Sequence, residues 1–117
     1  MWTAESIQAM LAGTGLPVSC GPFPDVDGVQ APAPPFILWN IEGNDLYADD
    51  CNYGAFSVLI VELYTRTRNF AQERALEAVL WENGFAWDKE PDYMGREKLH
   101  AVTYSMGAPM GGGGDGG

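Results

Sequence analysis

His100 is the only histidine among 117 residues, and Cys20, Cys51 and sixteen acidic residues are the other groups weighed for moving a proton or holding a metal. A general base must sit within hydrogen-bond reach of the proton it takes. His100 falls in a segment that reads as a strand, and no nearby Cys or Ser stands in the order that nucleophilic catalysis uses. It therefore reads as a strand histidine, packed or half exposed. Asp25 with Asp27, and Asp45 with Asp49 and Asp50, gather carboxylates in loops, as hard-cation sites do. They lack the calcium-loop spacing and its closing Glu, and Asp is common in turns because its side chain bonds the local backbone. Cys20 and Cys51 stand 31 positions apart and form no CxxC or Cys/His ligand pattern, so two reduced thiols are expected. Gly111 to Gly114 follows no strand-to-helix turn and lacks the Gly-Lys-Ser/Thr ending of a phosphate loop. The expectation is a protein with no catalytic, cofactor-binding or metal-ligating residues, and no enzyme.

The charge narrows the partners. Six basic residues against sixteen acidic ones leave a net −10, a field that repels DNA and anionic membranes. Met1-Trp-Thr-Ala-Glu-Ser contains no basic residue and no apolar run of signal-peptide type, and no window approaches the ~20 apolar residues of a membrane helix. The chain is expected to be cytosolic when made. At 117 residues and 46% hydrophobic, it fits one domain with a core of its own.

What would position these groups is a short series of elements. Thr3 can cap a first helix with Glu5 in its opening turn, Ile7, Met10 and Leu11 share one face, and Gly13 and Gly15 stop it. Val18 to Gly21 can form a short strand that Pro17 and Pro22 confine to a sheet edge. Pro24 to Pro35 reads as a projecting, polyproline-like arm. Phe36-Ile-Leu-Trp-Asn-Ile41 is a continuous apolar run of strand length, consistent with cover on both faces, and Glu42 to Asp45 then turns the chain. The next strand, through Thr65, puts Phe56, Val58 and Ile60 on one face and Leu59, Val61 and Leu63 on the other. Such a strand wants a helix over one face and further cover over the other, for which a neighbouring subunit is a candidate. Glu62 interrupts one apolar face, where it would meet a polar partner or solvent.

Asn69 with Gln72 resembles a capping box. Ala71, Ala75, Leu76, Val79 and Leu80 recur at helical spacing, and Gly84 sits where a helix ends in the left-handed conformation. This pattern sends Glu73, Arg74, Glu77 and Glu82 outward, with Glu73 and Glu77 an unfavourable like-charge pair. Phe85 to Glu90 alternates and pairs in a hairpin with Leu99 to Met106 across the eight residues Pro91 to Lys98. Gly107 to Gly117 has almost nothing to bury, so in isolation it should be disordered unless a neighbour holds it. The expected fold is α+β: a small, mostly antiparallel sheet of four to five strands packed by two helices, one domain over residues 1–106, with an extended loop and a flexible Gly-rich arm over 107–117.

Trp2, Trp39, Trp81 and Trp87 supply large rings that either fill a core or anchor an interface. Trp81 lies off the Leu76-Val79-Leu80 stripe and is a candidate for an intersubunit contact. The residues expected at subunit or partner interfaces are Val26, Val29, Pro34, Trp39, Glu62, Trp81 and Met110.

Set side by side, Asn44-Asp-Leu-Tyr-Ala-Asp-Asp-Cys-Asn-Tyr53, Val61-Glu-Leu-Tyr-Thr65, Glu73 to Leu80 and Gly84-Phe-Ala-Trp-Asp-Lys-Glu90 resemble the small tail-completion, or tail-terminator, proteins of long-tailed bacteriophages, over about Phe36 to Met106. The resemblance implies a structural virion protein. Members of that family form a hexameric ring at the head-proximal end of the tail tube, stop its growth and join it to the head connector. The implied partners are further copies of the chain, the tail tube protein and the connector or stopper protein, with assembly in the host cytoplasm and no membrane. DNA would pass the channel without specific binding, and the acidic excess would line that channel. The Pro-rich insertion before Pro35 and the glycine tail depart from the pattern. Other readings are a head-closure or tube-associated virion protein, an acidic soluble inhibitor module, and a metal-dependent enzyme built on Asp45, Asp49 and Asp50.

Overall fold

The computed structural model describes residues 2–22, 32–43 and 56–109. Helix α1 covers Ala4–Ala12. Thr3 caps it reciprocally: its Oγ1 accepts from the Ser6 N–H at 3.1 Å, while Ser6 Oγ accepts from the Thr3 N–H at 2.8 Å. Ile7 and Leu11, one turn apart, are both buried. The strands are β1 (Val18–Cys20), β2 (Phe36–Gly43), β3 (Phe56–Thr65), β4 (Asp88–Met94) and β5 (Leu99–Pro109), with α2 (Phe70–Glu82) between β3 and β4.

The five strands form one sheet in the order β1-β2-β3-β5-β4. It is mixed: β1 runs parallel to β2 and the other pairings are antiparallel. β1 sits at the edge, where the flanking prolines are tolerated. Pro17 O accepts from the Ile37 N–H and Trp39 O from the Gly21 N–H, both at 2.8 Å, extending the ladder past each end of the short strand. The α+β expectation is met, with this parallel edge as its refinement.

Alternation assigns the two faces of the sheet. Ile37, Trp39 and Ile41 of β2, Leu59, Val61 and Leu63 of β3, and Val102, Tyr104, Met106 and Ala108 of β5 form one buried layer with Ile7 and Leu11 of α1 and Leu76 and Leu80 of α2. Both helices therefore cover this face. Among the described residues the other face carries no helix. β2 is accordingly not covered on both sides as its apolar run suggested: Leu38 and Asn40 are partly exposed and Glu42 is exposed.

α2 begins and ends where its punctuation places it. The Asn69 side chain accepts from the Gln72 N–H at 3.1 Å. At the other end Gly84 adopts φ +86, with Phe85 N–H bonded to Leu80 O and Gly84 N–H to Trp81 O, each at 3.0 Å. That pair of bonds is a Schellman motif. It draws Phe85 back under the helix, where it is buried. The second strand expected from Phe85 consequently starts only at Asp88. It runs through Pro91 to Met94, because an edge strand accommodates a missing donor. The connection to β5 is residues 95–98, shorter than expected, and β5 continues through Pro109, opposite Phe56. Residues 107–109 thus belong to the sheet.

Cys20 is disulfide-bonded, against the expectation of reduced thiols; Cys51 lies outside the described residues. Sequence spacing excluded a ligand motif but says nothing about two sulfurs meeting in space.

Candidate functional site

Among the described residues, the helix-free face of the sheet is left partly uncovered. Register places Leu38, Asn40 and Glu42 of β2, Val58, Ile60, Glu62 and Tyr64 of β3, Ala101, Thr103 and Ser105 of β5, and Asp88, Glu90 and Asp92 of β4 on it. Its centre is apolar: Leu38 and Ile60 are partly exposed and Val58 is 42% exposed. The Phe36 and Tyr64 rings stack across β2 and β3 with centroids 5.2 Å apart. Burial and then the neighbouring Glu62 push the Tyr64 hydroxyl up to about 12. The five carboxylates of this face, Glu42, Glu62, Asp88, Glu90 and Asp92, make no ion pair among the described residues, and no Lys or Arg of the described strands projects there. An open hollow lined by Val58, Ala86, Trp87, Asp88, Ser105, Met106 and Gly107 lies at the end where β4 begins.

Beneath α2 lies a second polar constellation that helical periodicity alone did not reveal. Glu73, expected on the outer face of α2, is buried at 2% exposure. Arg68 grips it through two bonds, Nε to Oε2 at 2.6 Å and Nη2 to Oε1 at 3.1 Å. From β4 the Lys89 ammonium reaches Glu73 Oε1 at 2.9 Å and Glu77 Oε2 at 2.6 Å. The Tyr104 hydroxyl donates to Glu77 Oε2 at 2.8 Å. The hydrogen bonds from Arg68 hold the Glu73 carboxyl below its ordinary range against its burial. For Lys89, burial pulls the ammonium down, but Glu77 and Glu73 outweigh it and raise the pKa. Burial and the bond to Glu77 push the Tyr104 hydroxyl up. The like-charge pair is therefore neutralised by a cation between its members. The exposed face of α2 instead carries Ala71, Arg74, Ala75 and Ala78. The signal was the stripe Glu73, Leu76, Glu77, Leu80 at i, i+3, i+4, i+7, which is as helical as the aliphatic one. Every charge in this network is committed to another, which makes it a clamp between α2 and β4.

The residues expected at interfaces scatter. Trp39 is in the core, its indole Nε1–H donating to Gln8 Oε1 at 2.8 Å, so its apolar surface is already covered within the chain. Pro34 is partly buried ahead of β2, and Glu62 is partly buried on the helix-free face. Trp81, 72% exposed, stands at the end of α2 beside a small cleft it shares with Ala86 and Trp87. Val26, Val29 and Met110 lie outside the described residues, as do Asp25, Asp27, Asp45, Asp49 and Asp50. His100 is partly buried near the start of β5, its ring 4.7 Å from that of Tyr93. Among the described residues no group of three or more His, Cys, Asp or Glu side chains gathers to hold a metal ion, and no helix is long and apolar enough to cross a membrane.

No protein-family model matches the chain, and no curated protein sequence matches it.

Proposed function

We propose that this chain is a non-enzymatic structural subunit that assembles into a ring at the head-proximal end of a bacteriophage tail, terminating the tail tube and joining it to the head connector. The observation that carries the reading is the one-sided sheet: two helices cover one face, while the apolar centre formed by Leu38, Val58 and Ile60 on the other is left partly open. An open sheet face with apolar residues at its centre is a surface that assembly can bury. The exposed Trp81 ring is a further anchor of the type concentrated at interface hot spots. Three of the segments that resemble tail-completion proteins, Val61 to Thr65, Glu73 to Leu80 and Gly84 to Glu90, fall in or lead into β3, α2 and β4 of a single sheet-and-helix unit, while Asn44 to Tyr53 lies outside the described residues. A net charge of −10 suits a channel that DNA traverses without being held.

Native mass measurement of the purified chain and electron-microscope images with and without tail tubes test this. The expected result is a six-fold ring that caps the tube end. A chain that stays monomeric at every concentration and caps nothing overturns it.

A second reading, an acidic inhibitor that occupies a basic cleft, is favoured by the five carboxylates on the helix-free face. It predicts a monomer or dimer that competes with DNA for a basic protein.

A further inference from the structure

The chain's few cations are unevenly placed. Of its six Lys and Arg residues, Arg68 and Lys89 are committed to the buried clamp and Arg74 lies on the outer face of α2. The remaining three, Arg66, Arg96 and Lys98, are exposed and share one end of the sheet. Arg66 follows Thr65, which pairs with His100, and Arg96 and Lys98 belong to the turn closed by the Met94 and Leu99 pair. Two exposed rings stand at the same end. Tyr93, 52% exposed, packs on His100, and Phe70, 57% exposed, lies under the Arg68 guanidinium at 4.7 Å. Glu97 is the carboxylate within this turn. Aromatic rings beside arginines are the composition of an interface hot spot.

The helix-free face has the opposite character, with an apolar centre and five carboxylates that lack a cation. Pairing that face with itself would oppose carboxylates to carboxylates. The structure instead offers a heterologous match, in which the cationic end of one molecule, here called the knob, meets the face of another, the contact type that closes rings by rotation.

We infer that successive copies of this chain dock head to tail, with the Arg66, Arg96 and Lys98 end of one copy seated on the helix-free face of the next, against Glu62, Glu90 and Asp92. This rests on the ring reading and specifies its subunit contact. The occupant of the face is a second copy. The knob supplies cations to the unpaired carboxylates, and its rings cover the Leu38 and Ile60 centre.

Charge reversal on each surface tests the contact. Arg96→Glu with Lys98→Glu makes both surfaces acidic, and Glu90→Lys with Asp92→Lys sets two cations of the face against the cations of the incoming end. Each double variant alone should raise the concentration for half-assembly by about tenfold or more. Mixing the two should restore rings, and so should a chain carrying all four changes. These positions are exposed, and an unchanged melting curve of each variant confirms folding. If the wild type assembles and both double variants assemble equally well, the contact is wrong and the ring reading stands. If the variant with Glu90→Lys and Asp92→Lys assembles normally yet loses binding to the connector or tube protein, the face belongs to that partner and the inference is overturned. A wild type that never assembles overturns both.

Discussion

Glu73 of α2 and Lys89 of β4 are joined at 2.9 Å, so the edge strand is pinned to the helix by a carboxylate that is only 2% exposed. The ammonium continues to Glu77 at 2.6 Å, and Arg68 holds the far side of Glu73. The arrangement explains how an edge strand with exposed Asp88, Glu90 and Asp92 keeps its place: hairpin pairing holds one side and the clamp holds the inward one.

Removing one member of a buried ion pair leaves the others short of a partner. Glu73→Gln is expected to destabilise the fold by about 2 kcal/mol. This is below the ~3–5 kcal/mol of fully buried pairs, because the released Arg68 and Lys89 side chains are about a third exposed and can turn to water. Urea titration reads this as a lower midpoint at unchanged slope. Lys89→Met should cost a similar amount, since Glu73 keeps Arg68 but Glu77 keeps only Tyr104.

The same groups set two pH flanks. Glu73 is held below its ordinary value in the fold, so its stabilisation is fully present above the unfolded carboxylate range and is lost as pH falls through the folded value. Stability should therefore decline on acidification below about pH 4–5, and Glu73→Gln should flatten that decline. Tyr64, raised to about 12, acts in the opposite sense, as do Lys89 and Tyr104, which are also raised. The unfolded chain loses those protons first, so stability falls as pH climbs past about 10. Melting temperature against pH should form a plateau between the two flanks.

How much of this was legible in the sequence depended on whether the cause was local. Thr3, Asn69 and Gly84 act on backbone groups a few residues away, and each was readable as the helix boundary it is. The apolar runs of β2 and β3 were readable as strands because the length and residue types of a run are local too. The rotation of α2 was not, because Glu73 faces inward only once Lys89, sixteen residues on, lies across from it. The start of β4 was hidden by the Schellman bond that draws Phe85 from the strand line to the helix. The parallel pairing of β1 depends on the direction in which β2 lies beside it, which no periodicity of Val18, Ser19 and Cys20 records. The helix-free face was half readable: Val58 and Ile60 pointed to unmet cover, but its carboxylates gather only when β2, β3, β5 and β4 are assembled into one sheet.

Gly84 isolates a purely conformational cost. A methyl added there meets nothing within 4 Å, yet the residue sits at φ +86, where L side chains are disfavoured. Gly84→Ala is expected to cost about 1–2 kcal/mol, from the backbone alone. Because the left-handed turn also places Phe85 under α2, the loss should appear as faster hydrogen exchange at the Gly84 and Phe85 amides before any change elsewhere.

Trp39 and Trp81 separate folding from assembly. Trp39 is buried and bonded to Gln8, so Trp39→Ala should cost about 3–5 kcal/mol through its cavity and the orphaned Gln8 carbonyl. Trp81 is 72% exposed, and Trp81→Ala should leave the stability of the single chain within about 0.5 kcal/mol. If the exposed ring anchors a contact between subunits, the same substitution should weaken assembly while the melting curve of the dilute chain stays fixed. Sedimentation across a concentration series, run beside a denaturant titration, resolves the two effects. A Trp81→Ala chain that assembles like the wild type removes the ring from the interface.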